Sequence, residues 1–98
     1  MATINEEFQL KVFDQNGIIF DELVVGVSAE NDTGPLSFLS GHTNFISTIN
    51  GSLTKEMLYA YFKNGSQKGF LLESGVVKVL DNIVEVYLVL DLNLNIEK

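Results

Sequence analysis

Turn-forming pairs punctuate this chain at short intervals: Asp14-Gln15-Asn16-Gly17, Asn50-Gly51, Lys63-Asn64-Gly65-Ser66, Ser74-Gly75 and Asp81-Asn82. Asn-Gly readily supplies the positive φ angles of tight hairpins, and the runs between are rich in β-branched and aromatic residues. That spacing predicts an all-β sandwich or barrel. Phe8, Leu10 and Val12 alternate with Gln9 and Lys11, which puts the first three on one face of a strand. "GIIF" and "ELVVGV" are short β-branched runs, with Gly26 marking a bulge or close approach. "SGVVKVLDNIVEVYLVL" predicts two strands with Val77, Val79, Val84, Val86 and Leu88 inward and Lys78 and Glu85 outward. "LTKEMLYAYF" fits a helix through Leu53, Met57 and Tyr61 about as well as a strand through Met57, Tyr59 and Tyr61. The turn pairs on either side decide for strand, because a lone ten-residue helix would need capping signals of its own.

Size and charge narrow the function. At 98 residues the chain is one domain, able to bury about 65% of its unfolded surface. No apolar run approaches the length of a membrane span, so direct membrane insertion is not expected, while a peripheral place at a membrane complex remains open. The amino end "MATINEEFQL" lacks a basic region followed by an apolar stretch, so the chain is expected to stay in the compartment where it is made. There is no cysteine, which excludes disulfides and thiolate chemistry. A net charge of −7, with six lysines and no arginine, disfavours nucleic acid, whose phosphates reward basic surfaces.

"GPLSFLSGHTNF", residues 34–45, holds the single histidine and the single proline. His42 as a catalytic base would need an orienting acid and a nucleophile, and no nucleophile elbow is present. As a metal ligand it would need companions, and neither cysteine nor a second histidine exists. No catalytic residue, metal or cofactor is therefore expected. "KNGSQKGF" resembles a phosphate loop only in composition and reads as a hairpin turn. What remains is a protein contact or a satisfied turn residue. Residues 29–35 contain no large apolar side chain and read as a polar loop, the kind of segment that carries binding surfaces on a rigid sheet. Leu36, Phe38, Leu39 and Phe45 need burial, in the core or at the rim of a partner site.

In this order the elements resemble the amino-terminal β-sandwich domain of the epsilon subunit of F-type ATP synthases, called delta in mitochondria. Leu36, Phe38, Leu39, Gly41, His42 and Phe45 fit a family segment similar to leucine-glycine-apolar-leucine-proline-glycine-histidine-alanine-proline-leucine. The flanks "FQLKVFD", "IIFDELVVGV" and Ser74 to Val79 followed by Asp81-Asn82 resemble the family too, and the likeness runs from about residue 8 to 90. Ser37 stands where the family usually has glycine, and Ser40 and Asn44 where it usually has prolines. The resemblance implies a flattened antiparallel β-sandwich of about ten strands in two sheets. It implies a single domain over 1–98, with residues 91–98 a tail and the family's carboxy-terminal helical hairpin missing, so that no nucleotide binding is expected.

The same resemblance implies a non-catalytic rotor subunit, peripheral to the membrane, that holds the gamma stalk to the c-ring while proton or sodium flow drives ATP synthesis. Carried over by position, Glu30, Asn31 and Asp32 are candidates for c-ring contact. Leu36, Phe38, Leu39, Gly41, His42 and Phe45 are candidates for the gamma-facing surface or the core beneath it. The rival reading is a free-standing sandwich that binds a small ligand or carbohydrate, or serves as an adaptor, since such folds host many functions. Exposed sheet edges and the alternating tail "DLNLNIEK" are the features through which copies of the chain would pair.

Overall fold

A computed structural model describes residues 6–41 and 43–89. They form nine strands: β1 (Phe8–Asp14), β2 (Gly17–Val24), β3 (Gly26–Asn31), β4 (Gly34–Phe38), β5 (Phe45–Ser52), β6 (Leu58–Tyr61), β7 (Gln67–Phe70), β8 (Leu72–Leu80) and β9 (Ile83–Val89). Two sheets result, a five-stranded one in the order β2-β1-β9-β8-β5 and a four-stranded one in the order β4-β3-β6-β7. Every ladder is antiparallel except β1 with β9, where Leu10 sits opposite Val84 and Val12 opposite Val86 in parallel register. The expected flattened sandwich of two sheets is present, and the tail 91–98 lies outside the described residues.

Alternation explains the core. Phe8, Leu10 and Val12 of β1, Val77 and Val79 of β8, and Val84, Val86 and Leu88 of β9 are all buried from the larger sheet. They meet Val27 and Ala29 of β3, Phe38 of β4, Leu58 and Ala60 of β6 and Phe70 of β7 from the smaller one. No polar or charged side chain among the described residues is buried. Because each strand sends every second residue inward, one hydrophobic layer between two sheets satisfies the whole pattern.

Three hairpins close where the turn pairs predict. Gln15-Asn16 joins β1 to β2, with the Asp14 carboxylate accepting from the Asn16 amide at 2.7 Å. Residues 63–66 join β6 to β7, with Gly65 at φ +94. Asp81-Asn82 joins β8 to β9 with both residues at positive φ, as a two-residue primed turn requires.

Two other turn pairs are corrected. Asn50-Gly51 lies inside β5, with Asn50 opposite Ser74, and Ser74-Gly75 lies inside β8. These glycines serve close approach instead of reversal: a β-carbon on Gly51 would overlap the Leu72 carbonyl oxygen, and one on Gly75 would stand 2.8 Å from the Tyr87 carbonyl oxygen. Gly26 departs from its expected role, since its nearest neighbours leave ordinary contact distances and the chain there passes from one sheet to the other. The switch is held by the Val25 amide donating to the Tyr61 carbonyl at 2.8 Å. In "LTKEMLYAYF" only Leu58–Tyr61 is strand, and its buried face is Leu58 and Ala60, leaving Met57, Tyr59 and Tyr61 half-buried on the other side.

Candidate interaction surfaces

The polar segment 29–35 is a tight hairpin, not a long loop. Ala29, Glu30 and Asn31 end β3, Asp32-Thr33 turn, and Gly34 and Pro35 begin β4, with Glu30 opposite Pro35 and Asn31 opposite Gly34. The Asn31 carboxamide oxygen accepts from the Thr33 amide at 2.9 Å and its hydroxyl at 2.7 Å, while its nitrogen donates to Ser47 Oγ on β5 at 3.2 Å. Asn31 thereby ties the hairpin to the opposite sheet. Glu30 and Asp32 stay exposed. Of the three c-ring candidates, the two acids offer charge and Asn31 holds their backbone in place.

The other candidate group begins within β4, at Leu36 and Phe38, and continues past its far end through Leu39 and Gly41 to Phe45 at the start of β5. Its members have different fates. Phe38 is 1% exposed and stacks at a tilt on half-buried Phe45 with ring centroids 5.7 Å apart, so both belong to the core or its margin. Leu36 is half-buried and packs on the same core. Leu39 is 46% exposed and available at the surface, and Gly41, at φ +82, is exposed beside it. His42 lies outside the described residues.

On both sides of position 42 the chain is fastened to the β8–β9 turn. The Gly41 amide donates to Asn82 Oδ1 at 2.8 Å, and the Asp81 amide donates to Asn44 Oδ1 at 3.0 Å. Asn44 stands where the resembled family has a proline, and this hydrogen bond supplies a fixed point in its place. Asp81-Asn82 is legible as a turn in sequence; its partnership with a segment 37 residues away is not. A shallow depression of about 340 Å³ beside it is lined by Asn44, Phe45, Ile46, Lys78, Val79 and Leu80.

The sequence reading overlooks the outward face of the larger sheet. Leu80, Ile83, Tyr87 and Val89 are apolar and exposed although they occupy the positions facing away from the core. The signal was present, because "NIVEVYLV" carries Ile83, Tyr87 and Val89 at outward positions beside the inward Val84, Val86 and Leu88, with Glu85 as the one charged outward residue. Phe13 and Tyr87 stack there at 4.7 Å and 10° between planes, and the Tyr87 hydroxyl donates to Glu85 Oε1 at 2.8 Å. That hydrogen bond, then burial and the charge of Glu85, raise the Tyr87 pKa above its usual 10.0. The contribution to stability is therefore full below the unfolded pKa and is lost as pH rises through the folded one. Glu85→Gln should bring the Tyr87 midpoint down toward 10.0 in a phenolate absorbance titration; a midpoint that does not move would show that the carboxylate is not the cause.

On the outer side of the smaller sheet, an open groove of about 400 Å³ runs between Pro35 and Tyr61 and includes Tyr59, Glu30 and Glu56. Tyr61 and Ser28 share a hydroxyl hydrogen bond of 2.9 Å within it. Among the described residues no group of three or more His, Cys, Asp or Glu converges to hold a metal. Among the described residues no helix is long and apolar enough to cross a membrane.

The chain's sequence from 7 to 88 matches the family described as ATP synthase, Delta/Epsilon chain, beta-sandwich domain. Among solved structures, its fold is similar to a chain in the Euglena gracilis mitochondrial ATP synthase, OSCP/F1/c-ring in rotational state 1. The TM-score is 0.75 at 19% identity, over 90% of this chain and 54% of that one. It is also similar to a chain in the central stalk/c-ring of the Tetrahymena thermophila mitochondrial ATP synthase. There the TM-score is 0.68 at 15% identity, over 86% of this chain and 64% of that one. The chain thus spans between half and two thirds of the length of these two structural neighbours, and at such identities the likeness concerns the fold. No curated protein matches it.

Proposed function

The chain belongs to the ATP synthase delta/epsilon β-sandwich family, and on that premise we propose that it is a non-catalytic component of the central stalk of an F-type ATP synthase. Its task is to join the gamma stalk to the c-ring so that torque passes between ion flow and ATP synthesis, from a position peripheral to the membrane. The observation that carries the reading is the family match, which spans β1 to β9 almost completely. A close-packed two-sheet core suits the task because dense interiors deform little under load.

The β3–β4 hairpin, with Glu30, Asn31 and Asp32, is the proposed c-ring contact. Leu39, Gly41 and His42 form the proposed gamma-facing group, with Leu36, Phe38 and Phe45 supporting it from below. Co-purification of a tagged copy from its native membranes in mild detergent tests the whole reading. Gamma with c subunits should stay bound; their absence, with the domain folded, would point to an independent sandwich with its own ligand.

The two contacts can then be separated. Asp32→Lys should change c-ring association by roughly three- to tenfold at low salt, where exposed charges act most strongly, and leave gamma recovery alone. Leu39→Asp and His42→Ala should each weaken gamma recovery, Leu39→Asp by about tenfold, without lowering the melting temperature. Unchanged titrations would remove these residues from the interfaces.

A further inference from the structure

The outward face of the five-stranded sheet carries three parallel rows, read directly from strand register. In the middle row Asp21 of β2 is opposite Lys11 of β1, Lys11 is opposite Glu85 of β9, and Glu85 is opposite Lys78 of β8. Charge thus alternates in sign across four neighbouring strands. One level away lie Leu23, Gln9, Ile83 and Leu80, and on the other side Ile18, Phe13, Tyr87 and Val76. Leu23, Leu80, Ile83, Ile18 and Tyr87 are all at least 38% exposed. A charged seam between two rows that are apolar except at Gln9 is an unusual covering for a sheet face turned to water, where polar residues normally dominate.

We propose that this face docks a second copy of this chain. The order of charges is self-complementary about a two-fold axis along the strands, between β1 and β9. Such a rotation exchanges β2 with β8 and β1 with β9. Asp21 then meets Lys78 of the second copy, and Lys11 meets its Glu85. The flanking rows match except at one pair: Leu23 faces Leu80, Ile18 faces Val76 and Phe13 faces Tyr87, while Gln9 faces Ile83.

The alternative two-fold, across the strands, would set each charge of the seam against its own copy and is opposed by like-charge repulsion. The charge pattern therefore selects one arrangement. Twisted sheets pack face to face at about 30°, so the axis departs from the strand direction by about half that angle.

With strands about 4.8 Å apart and residues about 3.3 Å apart along them, the shared footprint is roughly 400 Å² per copy. That is below the roughly 800 Å² per partner of a standard stable complex, so the dimer belongs to the weak, concentration-dependent class. Two chains of net charge −7 also repel at long range, a term that salt near 0.15 M screens over about 8 Å while leaving close pairs less affected.

The test is sedimentation equilibrium of the purified 98-residue chain at about 0.15 M salt, from micromolar to about 1 mM protein. A reversible monomer–dimer equilibrium is expected. Lys78→Glu and Asp21→Lys should each weaken it by about tenfold or more, and Asp21→Lys combined with Lys78→Glu should return it to within about threefold of the unsubstituted chain. Circular dichroism melting of each variant reports whether the fold survives, and rescue by the charge exchange cannot come from a fold that has been lost. A chain that stays monomeric throughout overturns the proposal, as does a dimer indifferent to the single exchanges. Monomer at all concentrations together with protection of this face by added gamma would assign the surface to gamma instead.

Discussion

Phe38→Ala should remove about 3–5 kcal/mol of folding stability, the range for emptying a well-packed aromatic site. The ring is 1% exposed, contacts Phe45 across the β4–β5 connection and lies within the layer shared by both sheets. Its loss leaves a cavity that the two sheets close only in part. A domain of this length holds roughly 5–15 kcal/mol in total, so the variant gives up a large share of it. Leu39→Ala, one residue on and 46% exposed, should change stability by about 0.5 kcal/mol or less. Urea unfolding of the pair measures the contrast. Equal midpoints would contradict the assignment of Phe38 to the core and Leu39 to the surface. The same pair bears on assembly: Phe38→Ala should reduce gamma recovery in proportion to the fraction unfolded, whereas loss at Leu39 should act on the folded protein.

Gly51→Ala should destabilise by about 3 kcal/mol, the upper part of the range for overpacking. The new methyl group would overlap the Leu72 carbonyl oxygen and stand 2.6 Å from Leu72 Cγ and 2.8 Å from its carbonyl carbon. A side chain can rotate away, but a ladder carbonyl moves only if the β5–β8 pairing opens between Asn50 and Ser52, whose partners are Ser74 and Leu72. Replacing glycine by alanine also stiffens the unfolded chain, which stabilises by about 0.4–1 kcal/mol. The steric term is the larger. Gly26→Ala supplies the comparison, because a β-carbon there meets its nearest atom, Leu39 Cδ2, at 3.5 Å. That variant should melt within about 1 kcal/mol of the unsubstituted chain. If Gly51→Ala proved as stable as Gly26→Ala, the close approach of β5 to β8 at Leu72 would be wrong.

The candidate contacts show where sequence reading succeeds and stops. Leu39 and Phe38 are adjacent apolar residues with nothing in composition to separate them, and only β4 pairing and its end at Phe38 send one inward and leave the other out. Glu30, Asn31 and Asp32 are visible as a polar run, but their arrangement as the end of a strand and the start of a two-residue turn depends on the hydrogen bonds that Asn31 makes to Thr33 and Ser47. Asn44 looked like a missing proline, and a bond to the Asp81 amide gives it a different means of fixing the same turn.

The sequence by itself determined the class of fold and the contents of the core, because strand periodicity is local: inward positions such as Leu10, Val12, Val77, Val86 and Leu88 are fixed by alternation wherever the strand lies. It also determined the turns at Gln15-Asn16, Asn64-Gly65 and Asp81-Asn82, whose backbone angles suit the residues that occupy them. Tertiary structure alone decided that Asn50-Gly51 and Ser74-Gly75 are strand, because a glycine tolerates a turn and a crowded ladder equally, and which one it meets depends on the neighbour across the sheet. It alone brought β9 beside β1 in parallel and so aligned Asp21, Lys11, Glu85 and Lys78, residues spread over 75 positions of the chain, into one alternating row. Register is a property of pairs of strands, and no single segment contains it.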